Sequence, residues 1–174
     1  MVTRVRRVGI VTSGGDSPGF NPFVRAVVRM ALHHGWEPWG VQRGYAGLIA
    51  GDIEPLTSRS VSGVIGMGGT FLGSSRSEAF ATPRGLRDAL RNLNEASIDA
   101  LAIIGGDGTM RGARDLQEAG MPVIGAPGTI ENDVCGTDVS IGVDTALNTA
   151  LDAMDRIRDT ASSHEQVFII EMMG

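Results

Sequence analysis

The residues able to do chemistry stand in glycine-rich loops that each follow a short apolar run. Gly105-Gly106-Asp107-Gly108-Thr109 follows residues 101–104, a run short enough for a buried strand, and precedes a helical pattern. Glycines let backbone N–H groups approach phosphate oxygens, and a following helix N-terminus favours negative charge. A carboxylate amid phosphates suits Mg²⁺ better than it suits a bare anion. The same five residues also suit a plain strand-to-helix turn with a capping aspartate. A second loop, Thr12-Ser13-Gly14-Gly15-Asp16-Ser17-Pro18-Gly19, and a third, Gly68-Gly69-Thr70 leading to Arg76, repeat the glycine pair. A fourth, residues 127–138, carries Glu131 and Asp133.

Phosphoryl transfer needs an anion cradle, a metal carboxylate, a cation for developing charge and a carboxylate that orients or deprotonates the acceptor hydroxyl. Glycines 14, 15, 105, 106 and 108, Asp107, Arg76 and an acid among Glu131 and Asp133 match those four parts. The cradle is not a P-loop of the usual type, because no Gly-x-x-x-x-Gly-Lys-Ser/Thr occurs. No Gly-x-Gly-x-x-Gly opens the first helical pattern either, which speaks against a dinucleotide oxidoreductase.

The elements that must position these loops alternate. Strands are predicted at residues 8–11, 37–41, 100–104, 123–126 and 167–172, with a weaker extended segment reaching Leu56 after the turn at residues 43–47. Helices are predicted at residues 21–34, stopped by Gly35, and from Pro83, capped by Thr82, to about Ala96. Two more are predicted at 110–119, ended by Gly120, and at 144–162; residues 60–67 suggest a short one. Such alternation implies an α/β fold, a doubly wound and mostly parallel sheet with helices on both faces, with ligands outside the carboxyl ends of the strands. Trp36, Trp39 and the methionines are read as core. A last strand with no helix after it leaves a sheet face uncovered, so a truncated chain or one that needs a partner is expected.

Composition narrows the class. The chain has 174 residues, a hydrophobic fraction of 42% and a net charge of −5. It is long enough for one domain with a real core. The acidic balance, with no cluster of Lys/Arg and aromatics, argues against nucleic acid as a partner. No run approaches a membrane span, and no signal segment is read at the start. The single Cys135 makes no intrachain disulfide, so a reducing cytoplasm is the expected setting.

Read together, Thr12 to Asp16 with Pro18-Gly19 and Asn21, Gly68-Gly69-Thr70, Gly105 to Thr109, Pro127-Gly128-Thr129-Ile130 with Asn132-Asp133, and Arg156 to Thr160 resemble 6-phosphofructokinase in its bacterial ATP-dependent form. The resemblance runs in order from the first strand to the last residue. It implies transfer of the γ-phosphoryl of MgATP to the 1-hydroxyl of fructose 6-phosphate, by a chain of which these residues are the N-terminal portion, inactive alone. Residues 1–140 would form an incomplete nucleotide-binding domain, and residues 141–174 would begin the sugar-phosphate domain. By resemblance, Gly15, Arg76, Ser77, Gly106, Asp107, Gly108 and Thr109 contact ATP, and Asp107 holds Mg²⁺. Thr129, Glu131 and Asp133 are the implied catalytic residues, with residue 131 the proton acceptor. Thr129, Ile130, Glu131, Gln166, Met173 and Gly174 face the sugar phosphate. Arg25, Arg29 and Arg158 match positions for an allosteric nucleotide effector, and a homotetramer is implied. Gly108 and Gly128 favour ATP over pyrophosphate, whose dependent relatives tend to carry Asp and Lys there.

Three positions depart from the family pattern. Glu131 stands for the usual Asp, and a displacement of about 1 Å costs on the order of a hundredfold in rate, about 2.7 kcal/mol, unless the loop compensates. Gln166 replaces an arginine that reaches the sugar phosphate of a neighbouring subunit, a loss of about 1.5–3 kcal/mol of binding. Ser58 replaces an effector-site arginine, with Arg59 adjacent. These departures keep open a weakly active or non-catalytic nucleotide-binding paralogue. Lipid and NAD kinases share a Gly-Gly-Asp-Gly-Thr loop, but the loops at residues 12–16 and 127–133 argue against them.

Overall fold

The computed structural model describes residues 5–172. Period-two alternation in β1 (Arg7–Thr12) sends Ile10 to one face of a sheet and Val11 to the other. Both side chains are fully buried, as a central strand of a parallel sheet requires. β2 (Glu37–Val41) and β4 (Ala100–Gly105) flank β1 in parallel, with Ile10 opposite Gly40 on one side and Ala102 on the other. β5 (Val123–Pro127) pairs in parallel with β4, and the short β3 (Ile53–Pro55) closes the other edge antiparallel to β2. The order is β3-β2-β1-β4-β5.

Helices cover both faces, as the alternation predicts. On the Val11 face, Leu101 and Ile103 pack with Tyr45 and Leu48 of α2 (Gly44–Ala50), Ala89 and Leu93 of α3 (Pro83–Glu95), and Ala113 and Leu116 of α4 (Asp107–Glu118). On the Ile10 face, Val24 and Val28 of α1 (Phe20–His33) pack with Val61, Val64 and Leu72. Each fully buried Leu or Val of this kind contributes about 1.5–3 kcal/mol relative to an exposed one. Thr82 caps α3 as expected, its hydroxyl accepting from the Gly85 N–H at 3.1 Å, with Pro83 in the first turn.

Several expectations need correction. The turn predicted at residues 43–47 and the start of the extended segment after it are instead α2, and only the three residues of β3 are extended. The seven residues of α2 are too few to display a helical period, and glycines at both ends resemble a turn. Tertiary burial of Tyr45 and Leu48, one turn apart, is what makes them helical. The helix expected over residues 60–67 reduces to a 3₁₀ turn, Val64–Gly66. Residues 167–172 join no strand, and Val167 and Ile169 are almost fully exposed. Their apolar run states a capacity for burial, but a strand also needs a hydrogen-bonding edge beside it, and sequence periodicity carries no information on that. Trp36, Met30, Met67 and Met172 are exposed rather than core, whereas Met121 is buried and Trp39 packs against the Val11-face core. α5 (Val143–Ser163) buries none of its residues; Leu147, Leu151 and Met154 of its apolar stripe face solvent. Among the described residues no helix is long and apolar enough to cross a membrane.

Candidate functional site

Parallel strands β1 and β4 end side by side, Thr12 opposite Ile104, so the loops that follow them meet. The Ser13 N–H donates to the Ile104 carbonyl at 3.1 Å, and the Gly14 N–H reaches the Ser75 carbonyl at 3.4 Å. A β-carbon on Gly105 would stand 2.5 Å from the Ser13 carbonyl oxygen and also collide with the Thr109 side chain, so only glycine fits there. Gly14 has φ of +84°, which glycine adopts without strain.

The third glycine loop is tied to the first by side chains. Thr12 Oγ1 donates to the Gly73 carbonyl at 2.8 Å and receives the Thr70 hydroxyl at 3.1 Å. The buried Asn21 amide donates to the Met67 carbonyl at 3.1 Å and accepts the Phe71 N–H at 2.9 Å. Arg43, in the left-handed region, donates its N–H to the Leu72 carbonyl, and its own carbonyl receives the Ser75 hydroxyl. Arg76 and Ser77 are thereby carried to the rim of a cleft of about 790 Å³ that also receives Gly15, Asp107 and Glu131.

α4 begins three residues earlier than its apolar pattern suggests, at Asp107, with Gly106 as an extended N-cap and the Met110 N–H closing the first turn on the Gly106 carbonyl. The N–H groups of Asp107, Gly108 and Thr109 therefore lie in the turn that has no intrahelical acceptor. A β-carbon on Gly15 or on Gly108 would meet no atom within 4 Å, so both glycines border open space. Unpaired donors, a helix N-terminus and side-chain-free walls make an anion cradle. Asp107 is part-exposed at its edge, and its Oδ2 lies 2.8 Å from Arg111 Nη2, one turn further along α4. Among the described residues no three His, Cys, Asp or Glu converge on a metal-sized point. The Asp107 carboxylate beside the cradle suits Mg²⁺, which is commonly held by one or two carboxylates together with phosphate oxygens and water.

The fourth loop leaves β5 alongside the cradle. The Gly128 N–H donates to the Gly105 carbonyl at 2.9 Å, and a β-carbon on Gly106 would come within 3.7 Å of Thr129. Thr129 is buried and its hydroxyl accepts the Glu131 N–H at 3.1 Å. Asn132 braces the turn in the left-handed region (φ 51°), accepting the Ser140 N–H at 2.8 Å and donating to the Asp138 carbonyl at 3.1 Å. Glu131 and Asp133 are consequently left exposed, both facing the cleft together with Ile130.

The sequence-derived residues thus divide. Gly15, Arg76, Ser77, Gly106, Asp107, Gly108, Thr109, Thr129, Ile130, Glu131 and Asp133 line one cleft. Gln166 is exposed beyond α5, outside that lining. Met173 and Gly174 lie outside the described residues. Arg25 donates to the Val61 carbonyl at 2.5 Å, Arg29 is exposed on the same helix, and Arg158 pairs with Asp155 on α5 at 3.3 Å.

Eight cleft residues escape the sequence reading, among them Tyr45, Phe80, Arg111 and Gly112. Tyr45 and Phe80 stack with centroids 4.0 Å apart, and the Tyr45 hydroxyl donates to the Thr109 carbonyl at 2.7 Å. Burial, reinforced by the nearby Asp115 carboxylate, pushes the Tyr45 phenol well above its ordinary value. A β-carbon on Gly112 would stand 2.7 Å from the Tyr45 ring and 3.0 Å from Phe80, which explains a helix-interior glycine costing about 1 kcal/mol against alanine. That glycine was the one available signal of a close approach.

The sequence model of the phosphofructokinase family matches residues 7–174. An ATP-dependent 6-phosphofructokinase of Oceanobacillus iheyensis is 54% identical over 98% of this chain and 53% of its own length. One from Thermus thermophilus is 56% identical over the same shares. The chain therefore spans about half the length of the curated relatives it matches. Among solved structures, the T-state phosphofructokinase of Pichia pastoris superposes with a TM-score of 0.84 at 32% identity, covering 90% of this chain and 19% of that one. The phosphofructokinase of Saccharomyces cerevisiae gives 0.83 at 36%, covering 91% and 25%. The family match spans the whole sheet and all four glycine-bearing loops, and the chain belongs to the phosphofructokinase family.

Proposed function

We propose that the cleft binds MgATP and that the protein passes its γ-phosphoryl group to the 1-hydroxyl of fructose 6-phosphate, giving fructose 1,6-bisphosphate and ADP in glycolysis. The observation that carries this reading is the meeting of the open Gly108 end of α4 with the Thr129–Glu131 turn: a donor cradle and a carboxylate share one cleft. The N–H groups of residues 107–109 and Arg76 hold the polyphosphate and take up charge as the transferred group passes between oxygens. Asp107 would hold Mg²⁺, which when bound supplies charge neutralisation between phosphate oxygens. Glu131 receives the proton of the acceptor hydroxyl as that oxygen bonds to phosphorus and the bond to the bridging oxygen breaks. Thr129 fixes the turn that presents Glu131, and Asp133 adds a second carboxylate at the same mouth. The side-chain-free walls at Gly15 and Gly108 leave room for a triphosphate, and Gly108 and Gly128, where pyrophosphate-dependent relatives tend to carry Asp and Lys, favour ATP as donor.

Residues 1–140 act as the nucleotide-binding part and residues 141–174 as the start of the sugar-phosphate part. Gln166 stands outside this chain's own cleft, at a position whose family counterpart serves a neighbouring subunit, and the 174-residue chain alone binds nucleotide but is inactive. A cytoplasmic homotetramer, with Arg25, Arg29 and Arg158 toward an effector nucleotide, completes the reading. A weakly active or regulatory paralogue is the second reading, favoured by Glu131 and Gln166 in place of the family's Asp and Arg.

Calorimetric titration of the chain with MgATP and with magnesium pyrophosphate tests the donor: MgATP binds and pyrophosphate does not. Preference for pyrophosphate, or no nucleotide binding, sinks the proposal. For the longer protein, ADP release with fructose 6-phosphate supports catalysis. Phosphorylation of NAD or diacylglycerol in its place overturns the substrate.

A further inference from the structure

Arg111 plays no part in the reading above, yet it is the cation nearest the proposed metal carboxylate. It stands four residues after Asp107 on α4, and its guanidinium reaches back along the helix to Oδ2 at 2.8 Å while remaining 71% exposed. Asp before Arg at this spacing is the favourable order on a helix. The two other arginines at the cleft are differently placed. Arg114 lies 3.6 Å from both Asp115 and Glu118, and Arg76 forms no ion pair among the described residues. Acidic residues outnumber basic ones around the cleft, with Asp16, Glu78, Asp115, Glu131 and Asp133 joining Asp107 against three arginines. A polyanion entering this cleft therefore meets repulsion, beside the attraction of the α4 N-terminus, that a mobile cation helps relieve.

We propose that Arg111 is an exchange cation: it neutralises the Asp107 carboxylate in the empty cleft and moves to the nucleotide's phosphate oxygens when a divalent cation takes that carboxylate. The inference rests on the reading of Asp107 as the metal carboxylate. A divalent ion on Asp107 places like charge beside the guanidinium and weakens its hold there. On that reading the triphosphate, held at the N-terminus of α4, would then offer the guanidinium negative charge. A long side chain with most of its surface in solvent makes that change of partner without repacking any core residue.

The exchange has a signature that a merely helix-stabilising ion pair lacks. Removing Arg111 frees the carboxylate for metal but deprives the phosphates of a cation, so two affinities move in opposite directions. The test titrates the 174-residue chain with Mn²⁺ in the absence of nucleotide, followed by water-proton relaxation, and with ATP at saturating Mg²⁺, followed by calorimetry. Wild type, Arg111→Gln, Arg111→Lys and Asp107→Asn are compared, with circular dichroism as the check on helix content. Arg111→Gln is expected to bind Mn²⁺ about two- to fivefold tighter, the range set by exposed ion pairs. Its affinity for MgATP falls by about fivefold or more, as for loss of a charge-assisted contact, and Arg111→Lys keeps most of both wild-type values. Both affinities unchanged, or both weakened, in Arg111→Gln and Arg111→Lys with helix content intact overturns the exchange. Mn²⁺ binding unaffected by Asp107→Asn sinks the metal reading of Asp107 and the exchange with it. Mn²⁺ binding weakened by Asp107→Asn but unmoved by Arg111→Gln sinks the exchange alone.

Discussion

The Tyr45 hydroxyl, buried between α2 and α4, donates to the carbonyl of Thr109 at 2.7 Å. This bond ties a seven-residue helix on the Val11 face to the first turn of the helix whose N-terminus forms the cradle. Tyr45 stacks on Phe80 at the same place, so one side chain braces α4 from below and closes the cleft wall.

Tyr45→Phe keeps the stack and the packing against Gly112 but leaves the Thr109 carbonyl without its side-chain donor. Global stability should fall by about 1 kcal/mol, the net worth of a typical buried hydrogen bond. Urea unfolding of the chain reads this as a lower midpoint with an unchanged slope.

Alkaline pH acts on the same group. Burial, then Asp115, raises the folded-state pKa of the phenol above its unfolded value of 10.0, so the folded state holds the proton more tightly. This contribution to stability is fully present below about pH 10 and is lost as pH rises from there toward the folded-state value. The stability difference between wild type and Tyr45→Phe should therefore shrink above pH 10. A difference that stays constant from pH 8 to 11 contradicts the assignment.

Two glycines of one loop should respond in opposite ways to alanine. At Gly105 the new methyl meets the Ser13 carbonyl at 2.5 Å, and Gly105→Ala should cost about 1–3 kcal/mol as backbone is forced apart. At Gly108 nothing lies within 4 Å, so Gly108→Ala should leave the melting temperature unchanged or slightly raised and weaken MgATP binding by narrowing the cradle. Thermal melts with and without MgATP separate the two.

Asn132 holds the 127–140 loop through two hydrogen bonds in a left-handed backbone conformation. Asn132→Ala loses both bonds and adds left-handed strain, a combined cost of about 2–3 kcal/mol. Because Glu131 is its neighbour, hydrogen exchange at residues 129–133 should speed up while exchange in β1 and β4 stays protected.

If residue 131 accepts the substrate proton, shortening it restores the usual reach. Glu131→Asp in the longer protein should raise kcat toward the hundredfold associated with about 1 Å of misplacement. Glu131→Gln should lower it, because an amide accepts no proton; a steady-state assay with fructose 6-phosphate measures both.

Local pattern in the sequence carried β1, β2, β4 and β5, helices α1, α3, α4 and α5, the parallel sheet they imply and the loops that gather at its carboxyl edge. These are properties of local period and of glycine chemistry: a run such as Leu101-Ala102-Ile103-Ile104 ending in Gly105-Gly106 is a strand entering a tight turn wherever it lies. Asp107, Arg76 and Glu131 stood out because a metal carboxylate, a cation and a proton acceptor beside glycine cradles are the parts that phosphoryl transfer needs. The tertiary structure decided what depends on contact between distant residues. Residues 44–50 become helical because Tyr45 and Leu48 find a core to enter, and Gly112 is needed because Tyr45 and Phe80 press against it. Residues 167–172, apolar enough for a strand, form none, since strand formation needs a neighbouring edge as well as a pattern. The pairing of Asp107 with Arg111 belongs to the same class. The two residues face each other only because α4 begins at Asp107 itself, three residues ahead of its apolar pattern, which sets them one turn apart at the cleft.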